Sequence, residues 1–194
     1  MINEKEFIQQ LTNKKQQNKA FTKLLDLYQE RLYWHIRKIV GSHENADDVL
    51  QNTFVRVYKS LQNFKQQSSL HTWMYRIAYN ESIRFLENQQ KKTHSSIQDV
   101  NEQYLEDLRG DVFFDGDQAQ LLLQKVLLEL SEKQKLIFQM KYYDDLKFRE
   151  VAAILNVNEA TVKTNYYAAV KHIEKNITSV EYLNKLNELI ESED

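Results

Sequence analysis

The chain of 194 residues contains no cysteine, no proline and only three glycines. Without cysteine it has neither a disulfide framework nor a thiolate metal site, which is typical of a protein in a reducing cytoplasm. Without proline and glycine it has few of the residues that punctuate turns and long loops, so an all-α fold is predicted. The first residues show no basic stretch followed by an apolar run, and no window is apolar for long enough to cross a bilayer. We therefore expect a cytoplasmic chain that is not inserted into a membrane.

Catalytic patterns are also missing from the sequence. Its five histidines lie far apart without metal-ligand spacing, and no glycine-rich phosphate loop is found. We therefore expect no catalytic residues, no metal and no cofactor, and the chain is predicted not to be an enzyme.

Charge divides the chain into four segments although its net charge is only -2. Residues 1–90 carry 13 basic against 9 acidic side chains, and residues 118–175 carry 9 against 7. The balance reverses to 3 against 7 over residues 91–117 and to 1 against 5 over residues 176–194. Two mildly basic blocks are therefore each followed by an acidic segment.

Hydrophobic periodicity places helices in the same blocks. Apolar residues recur at three- and four-residue steps from Phe21 to Ile39, where Gly41 is expected to end the helix, then from Val49 to Phe64 and from Leu70 to Leu86. A shorter helix is predicted over Glu4 to Leu11. The period fades between Lys91 and Asp117, which predicts a flexible acidic linker with a short helix at Tyr104 to Leu108 as an option.

Capping-box spacing predicts where helices begin in the second block. Ser131 to Gln134 has this spacing, so a helix should start at Glu132, and the Thr178 to Glu181 segment predicts a separate amphipathic helix in the tail. The resulting domains are 1–92, a linker at 93–117, a second domain at 118–178 and a helical tail at 179–194. The tail is expected to pack on the second domain, with a partner site as the alternative.

The segment from Phe148 to Lys163 has the pattern of a helix-turn-helix. Ala152 supplies the small residue inside the first helix, Asn156 tolerates positive φ at the turn, and Val162 anchors the second helix. That second helix, from about Glu159 to Lys175, is predicted to present residues that contact phosphates and base edges in a major groove: Thr161, Lys163, Thr164, Asn165, Tyr167 and Lys171. The alternative is a pair of ordinary core helices.

Three motifs in order resemble conserved regions 2 and 4 of the sigma-70 superfamily. They are Asp47-Asp48-Val49-Leu50-Gln51-Asn52-Thr53-Phe54-Val55-Arg56-Val57, then Thr72-Trp73-Met74-Tyr75-Arg76-Ile77-Ala78-Tyr79-Asn80, then Thr161-Val162-Lys163-Thr164. The size and the two-domain layout are similar to the extracytoplasmic-function (ECF) group of bacterial sigma factors. This resemblance implies a subunit that binds RNA polymerase core and directs promoter-specific binding, melting and transcription initiation.

The resemblance also implies three sets of site residues. The helix matching Glu44 to Phe64 would dock on the clamp helices of the polymerase largest subunit through Asp47, Asp48, Gln51, Asn52 and Arg56. The minus 10 element would be captured by Lys65, Gln66, Ser68, Ser69, Tyr75, Arg76, Tyr79 and Asn80, with Trp73 and Phe54 assigned to the core. The minus 35 element would be contacted by the six residues of the second helix given above.

Departures from the family pattern affect the third set. Family members commonly carry several arginines after the Thr-Val-Lys core, where this chain has Asn165, Tyr166, Tyr167, Ala168 and Ala169. Because arginine to guanine is the commonest specific contact, we expect an upstream element that leans toward A and T.

Alternative functions and regulation remain open in the sequence. A plain helix-turn-helix regulator with a helical sensing or dimerisation domain is one alternative. An interaction protein that keeps the fold only to bind partners is another. Factors of the ECF group are often held by an anti-sigma protein, which makes such a factor a candidate partner.

Overall fold

The computed structural model describes residues 3–90 and 118–191, with side chains described over 3–90 and 122–177. Every regular element in these two stretches is a helix, which confirms the all-α prediction. The helices are α1 (Glu4–Thr12), α2 (Gln17–Val40), α3 (His43–Ser60), α4 (Leu70–Gln90), α5 (Gln118–Leu128), α6 (Glu132–Tyr142), α7 (Phe148–Leu155) and α8 (Glu159–Glu191), with a single 3-10 turn at Leu61–Asn63. The predicted linker and its optional helix at Tyr104 to Leu108 lie outside the described residues.

The helices divide into two compact units. The first contains α1 to α4 together with Arg149–Asn156, and the second contains α5, α6, Phe148 and α8. In the first unit α2, α3 and α4 pack against one another, and α1 packs on α2. Leu24, Leu32 and Ile36 of α2 are completely buried there. The apolar residues that recur every three or four positions in the sequence therefore form the buried face of α2.

The core of the second unit forms where α5 and α6 pack on α8. Its buried members are Val126, Leu127, Leu130, Phe138, Ala169 and Ile173. The small Ala169 is fully buried, and its methyl side chain lets the partner helix approach α8 closely. The hydrophobic run after Leu121 is thus explained as the surface that α5 presents to α8.

Side-chain caps set several helix starts where the sequence predicts them. The Ser131 hydroxyl accepts from the Gln134 amide while the Gln134 side chain accepts from the Ser131 amide, a complete capping box at α6. The Ser42 hydroxyl accepts from the Asn45 amide at the start of α3. Each cap satisfies amides that have no partner within the helix.

One predicted helix start is wrong. The capping-box pattern at Thr178 predicts a new helix, but α8 runs without a break from Glu159 to Glu191. A capping box starts a helix only where the preceding turn is not helical, and no glycine or proline lies between Lys171 and Thr178 to interrupt the backbone. The tail is helical as expected, but as an extension of α8.

Gly41 ends α2 in the left-handed conformation, with φ of 85°. Nothing lies within 4 Å of the position that a Cβ would occupy, so only the backbone conformation disfavours a side chain. We expect Gly41→Ala to lower the free energy of unfolding by about 1 kcal/mol, the typical cost of a left-handed L-residue. Urea unfolding followed by circular dichroism measures this, and Gly41→Asn should lose less because asparagine tolerates this region. An equal loss in both variants would contradict the explanation.

Candidate functional site

The exposed side of α3 carries two acids and two amides in succession. Asp47, Asp48, Gln51 and Asn52 are all exposed, whereas Val49 on the opposite face is buried. We call the four exposed residues the acid-amide edge. In the described part of the chain neither carboxylate has an ion-pair partner. The edge therefore offers two negative charges to another molecule.

An apolar groove of about 580 Å³ runs beside this edge between α2 and α3. Phe21 forms its floor and meets Phe54 and Tyr58 edge to face, with ring centroids 6.3 and 5.0 Å apart. Val55 and Tyr58 line the groove and are themselves exposed, and Asp47 and Gln51 also border it. Phe54 is 9% exposed, which confirms its assignment to the core. The sequence analysis missed the groove, for which the apolar Val55 on an otherwise polar face was the available signal.

Arg56 differs from the rest of its predicted set. Its Nε lies 2.6 Å from Oε1 of Glu81 on α4, and the same oxygen accepts from Arg84 at 2.7 Å. The contact ties α3 to α4, but Glu81 is shared by two guanidinium groups and the Arg56 side chain is 51% exposed. The predicted place of Arg56 at a protein partner therefore stays a prediction.

The loop before α4 keeps some of its predicted residues accessible. Lys65 and Gln66 are exposed, and Gln66 adopts a positive φ of 53° that turns the chain. Ser68 is half-buried, and its hydroxyl donates to the Ser69 carbonyl at 3.3 Å. The loop thus presents a cation and an amide to solvent.

Ser69 has a structural contact in addition to its predicted role. Its hydroxyl accepts from the Thr72 amide at 3.1 Å and lies 2.8 Å from the Thr72 hydroxyl. The side chain therefore caps the first turn of α4, with hydrogen bonds that compete with any base edge. Nearby, the Leu70 amide donates to the Glu4 carboxylate at 2.7 Å, so α1 also closes this helix end.

Tyr75 requires a correction. It is predicted to stack on a base, but it is only 2% exposed. Its ring lies 4.8 Å from that of His35 and 4.5 Å from that of His71. A base cannot reach a ring that the core encloses, so Tyr75 belongs to the core. Trp73, predicted to be core, is half-buried and packs on Phe64 with centroids 4.7 Å apart.

Three other predicted residues of α4 remain on one accessible face. Arg76 and Asn80 are exposed and Tyr79 is half-buried, at positions that lie one turn apart on the helix. Burial raises the pKa of Tyr79, so its phenol stays protonated and retains a hydrogen to donate. This face offers a guanidinium, a phenol and an amide together.

The turn between α7 and α8 has the backbone expected for a helix-turn-helix. Asn156 has φ of 53°, Ala152 is buried and Val162 is fully buried, as the sequence predicts. The Asn158 side chain accepts from the Ala160 amide at 2.7 Å and caps α8. Asp145 also has a positive φ of 52°.

The predicted duplex-contacting residues of α8 differ in exposure. Lys163, Thr164, Tyr167 and Lys171 are exposed, and Tyr167 reaches 60%. Thr161 and Asn165 are half-buried, and the Asn165 amide donates to the Thr161 carbonyl at 2.8 Å. The Thr164 hydroxyl donates to the Ala160 carbonyl at 3.0 Å. All six residues lie within the first four turns of α8.

Lys163 makes two contacts that the sequence analysis missed. Its Nζ lies 2.7 Å from Oε1 of Glu159 and 5.8 Å from the centre of the Phe148 ring. The hydrogen bond and charge of Glu159 raise the pKa of Lys163. The four-residue spacing of Glu159 and Lys163 was the signal for the first contact.

His172 on α8 contacts two other side chains. Its Nε2 lies 3.1 Å from Oε2 of Glu129, the residue that follows α5, and 3.1 Å from Nδ2 of Asn176. The side chain therefore helps to hold α5 against α8.

Within the described residues no group of three or more histidines and acids is placed to hold a metal ion. No helix of this same part of the chain has the length and apolar character that a membrane crossing requires.

Comparison with known proteins accounts for both units. Family models match at residues 24–92, described as Sigma-70 region 2, and at residues 120–173, described as Sigma-70, region 4. The chain is 26% identical over 173 residues to the ECF RNA polymerase sigma factor SigW of Bacillus subtilis, covering 84% of this chain and 92% of that protein. It is 27% identical over 167 residues to the ECF RNA polymerase sigma-E factor of Escherichia coli, covering 82% and 87%.

Solved structures share the fold. The chain is similar to CnrH in complex with the cytosolic domain of CnrY, with a TM-score of 0.64, 16% identity and coverage of 91% of this chain and 97% of that one. It is similar to the sigma factor RpoE of Bartonella quintana in complex with the anti-sigma factor NepR, with a TM-score of 0.61, 20% identity and coverage of 82% and 98%.

The matches to sigma-70 regions 2 and 4 on a helical chain identify a two-region transcription initiation factor. The chain belongs to the sigma-70 superfamily and is a sigma factor of the ECF group. This confirms the assignment made from the three motifs, with RNA polymerase and promoter DNA as partners. It also decides against the plain helix-turn-helix regulator.

Proposed function

We propose that the acid-amide edge of α3 is the surface that binds the polymerase clamp helices. The observation that carries this proposal is the exposure of Asp47 and Asp48 without an ion-pair partner in the described chain. A basic partner supplies the missing charges, and Gln51 and Asn52 add hydrogen bonds of fixed direction. The adjoining apolar groove gives such a partner a surface to bury.

The accessible face of α4 is proposed to capture bases of the minus 10 element. Tyr79 offers half of a ring for stacking, and Arg76 and Asn80 offer donors beside it. Lys65, Gln66, Ser68 and Ser69 of the preceding loop complete the set, and the enclosed Tyr75 is left out of it. Unstacking a base costs a few kcal/mol, which these contacts offset.

The first turns of α8 are proposed to enter the major groove of the minus 35 element. The exposed Lys163, Thr164, Tyr167 and Lys171 support this placement, because phosphate and base contacts need accessible donors. Asn165 and Thr161 lie at its edge. The hydroxyls and the tyrosine ring suit bases with methyl groups, so we keep the expectation of an element that leans toward A and T. A G-rich element selected by the protein would contradict it.

Domain assignment and regulation complete the proposal. We assign residues 1–92 to core binding and melting, 118–178 to duplex recognition, and 93–117 to the linker between them. The structures of CnrH and RpoE are complexes with other proteins, an anti-sigma factor in the second case, which supports an anti-sigma partner here. Catalysis is assigned to the polymerase, and the cytoplasm is the proposed location.

Run-off transcription tests the proposal as a whole. Core polymerase alone should give no specific transcript from a promoter selected with this protein, and addition of the full chain should give one of defined length. A control with the chain but no core polymerase should give none. If the chain binds core polymerase but directs no initiation on any selected sequence, the alternative of an interaction protein replaces the proposed function.

A further inference from the structure

The start of α8 places a hydrogen-bond acceptor directly beside a donor. Oε1 of Glu159 lies 2.7 Å from Nζ of Lys163, and the two side chains are 44% and 47% exposed. An ion pair of this exposure contributes little to stability. Its remaining lone pairs and hydrogens are open to a ligand, so the pair offers a hydrogen-bond acceptor and a hydrogen-bond donor to the molecule that α8 contacts.

Phe148 restricts where the lysine of this pair can go. The Lys163 ammonium lies 5.8 Å from the centre of the Phe148 ring, and that ring meets Tyr166 edge to face at 5.3 Å. Phe148 is thus anchored on α8 itself. A lysine held by a carboxylate and a ring loses less side-chain entropy on binding than a free one, and it reaches fewer phosphates.

The spacing of the pair matches the groups that a base pair shows in the major groove. A G·C pair shows the guanine O6 acceptor and the cytosine N4 donor, which are joined by a Watson–Crick hydrogen bond of about 2.9 Å. The 2.7 Å between Glu159 and Lys163 is close to this separation. The Lys163 ammonium can therefore donate to guanine O6 while the Glu159 carboxylate accepts from cytosine N4.

Resting on the proposed function of α8, we propose that Glu159 and Lys163 form a specificity-determining pair that selects one G·C base pair in the upstream element, with guanine on the lysine side. Guanine also offers N7 to the ammonium, which thymine lacks. In a C·G pair the carboxylate would face guanine acceptors and the ammonium would face an amino group. The selected G·C pair would be a single position within an element that otherwise leans toward A and T.

The test uses the full chain assembled with core polymerase and a promoter library randomised over the upstream element. Bound and unbound DNA are sequenced to give a base preference at each position. The wild-type holoenzyme should prefer guanine at one position. Glu159→Ala removes the acceptor and should lower that preference about tenfold, the size of one good base contact, and leave the other positions unchanged.

A charge exchange separates recognition from a structural role. Glu159→Lys combined with Lys163→Glu keeps an ion pair at the same spacing and should move the preference from G·C to C·G. Glu132→Ala is the matched control, because Glu132 is also the first residue of a helix of the second unit and lies 3.8 Å from Lys135. It should leave every position unchanged.

Two outcomes would overturn the inference. One is a wild-type profile in Glu159→Ala, and the other is retention of guanine in the exchanged variant. Both leave the proposed function of α8 intact. A wild-type holoenzyme without any upstream preference would instead remove the proposed function of α8 and this inference with it.

Discussion

Asp48→Arg combined with Gln51→Ala is expected to abolish stable association with core RNA polymerase. The double substitution reverses one exposed charge of the acid-amide edge and removes a hydrogen-bonding amide one turn away. Losing a charged contact in a protein interface costs about 2 kcal/mol or more, so the Kd should rise by at least about thirtyfold. Fluorescence anisotropy of the labelled full chain titrated with core polymerase measures this Kd.

A charge-matched control distinguishes the loss of this particular surface from a general effect of the added positive charge. Asp26→Arg changes an exposed acid on the neighbouring helix α2 that does not line the groove, and it should leave the Kd within about threefold of wild type. Because both substitutions add the same positive charge, a similar loss in the two variants would indicate a general electrostatic effect. Unchanged binding of the double variant would remove the acid-amide edge from the interface.

Local signals in the sequence were sufficient for most of the fold. The hydrophobic period gave α2, α3 and α4, and the bounds of α2 and α6 follow from Gly41 and Ser131, whose effects act within one turn. The turn at Asn156 is local in the same sense. Such features can be predicted because neighbouring residues alone determine them.

Side-chain orientation in the site could not be predicted in the same way. Tyr75 and Tyr79 lie one turn apart on α4, yet the first is enclosed by His35 and His71 and the second is half exposed. The helix period alone therefore does not distinguish the two tyrosines. Only the packing of α2 against α4 decides which ring reaches the surface.

Contacts between distant residues account for the other differences. Arg56 pairs with Glu81 on the next helix, and His172 pairs with Glu129, which lies 43 residues before it in the sequence. A basic residue on a helix surface is compatible with a partner protein or with a neighbouring helix. By contrast, the Glu159 and Lys163 contact was within reach of the sequence, because its spacing of four residues is that of a helical ion pair.

Tyr79→Ala combined with Asn80→Ala is expected to leave core binding unchanged and to impair promoter opening by about ten- to a hundredfold. Stacking of one base on an aromatic ring contributes about 1–3 kcal/mol, and removal of Asn80 takes away a further hydrogen bond. Fluorescence of 2-aminopurine placed in the minus 10 element reports the fraction of open complexes. Thermal unfolding of the variant shows what the half-buried ring contributes to stability.

A template that is already open shows which step of initiation the two substitutions impair. A promoter with a mismatched bubble across the minus 10 element needs no melting, so it should restore much of the transcript made by the variant. Glu87→Ala with Asn88→Ala, two turns further along α4 and also exposed, should open duplex promoters normally. Since Tyr75 is enclosed, Tyr75→Phe should likewise leave opening unchanged. Loss of core binding in the Tyr79 variant would show that this face supports the fold of the first unit rather than the DNA strand.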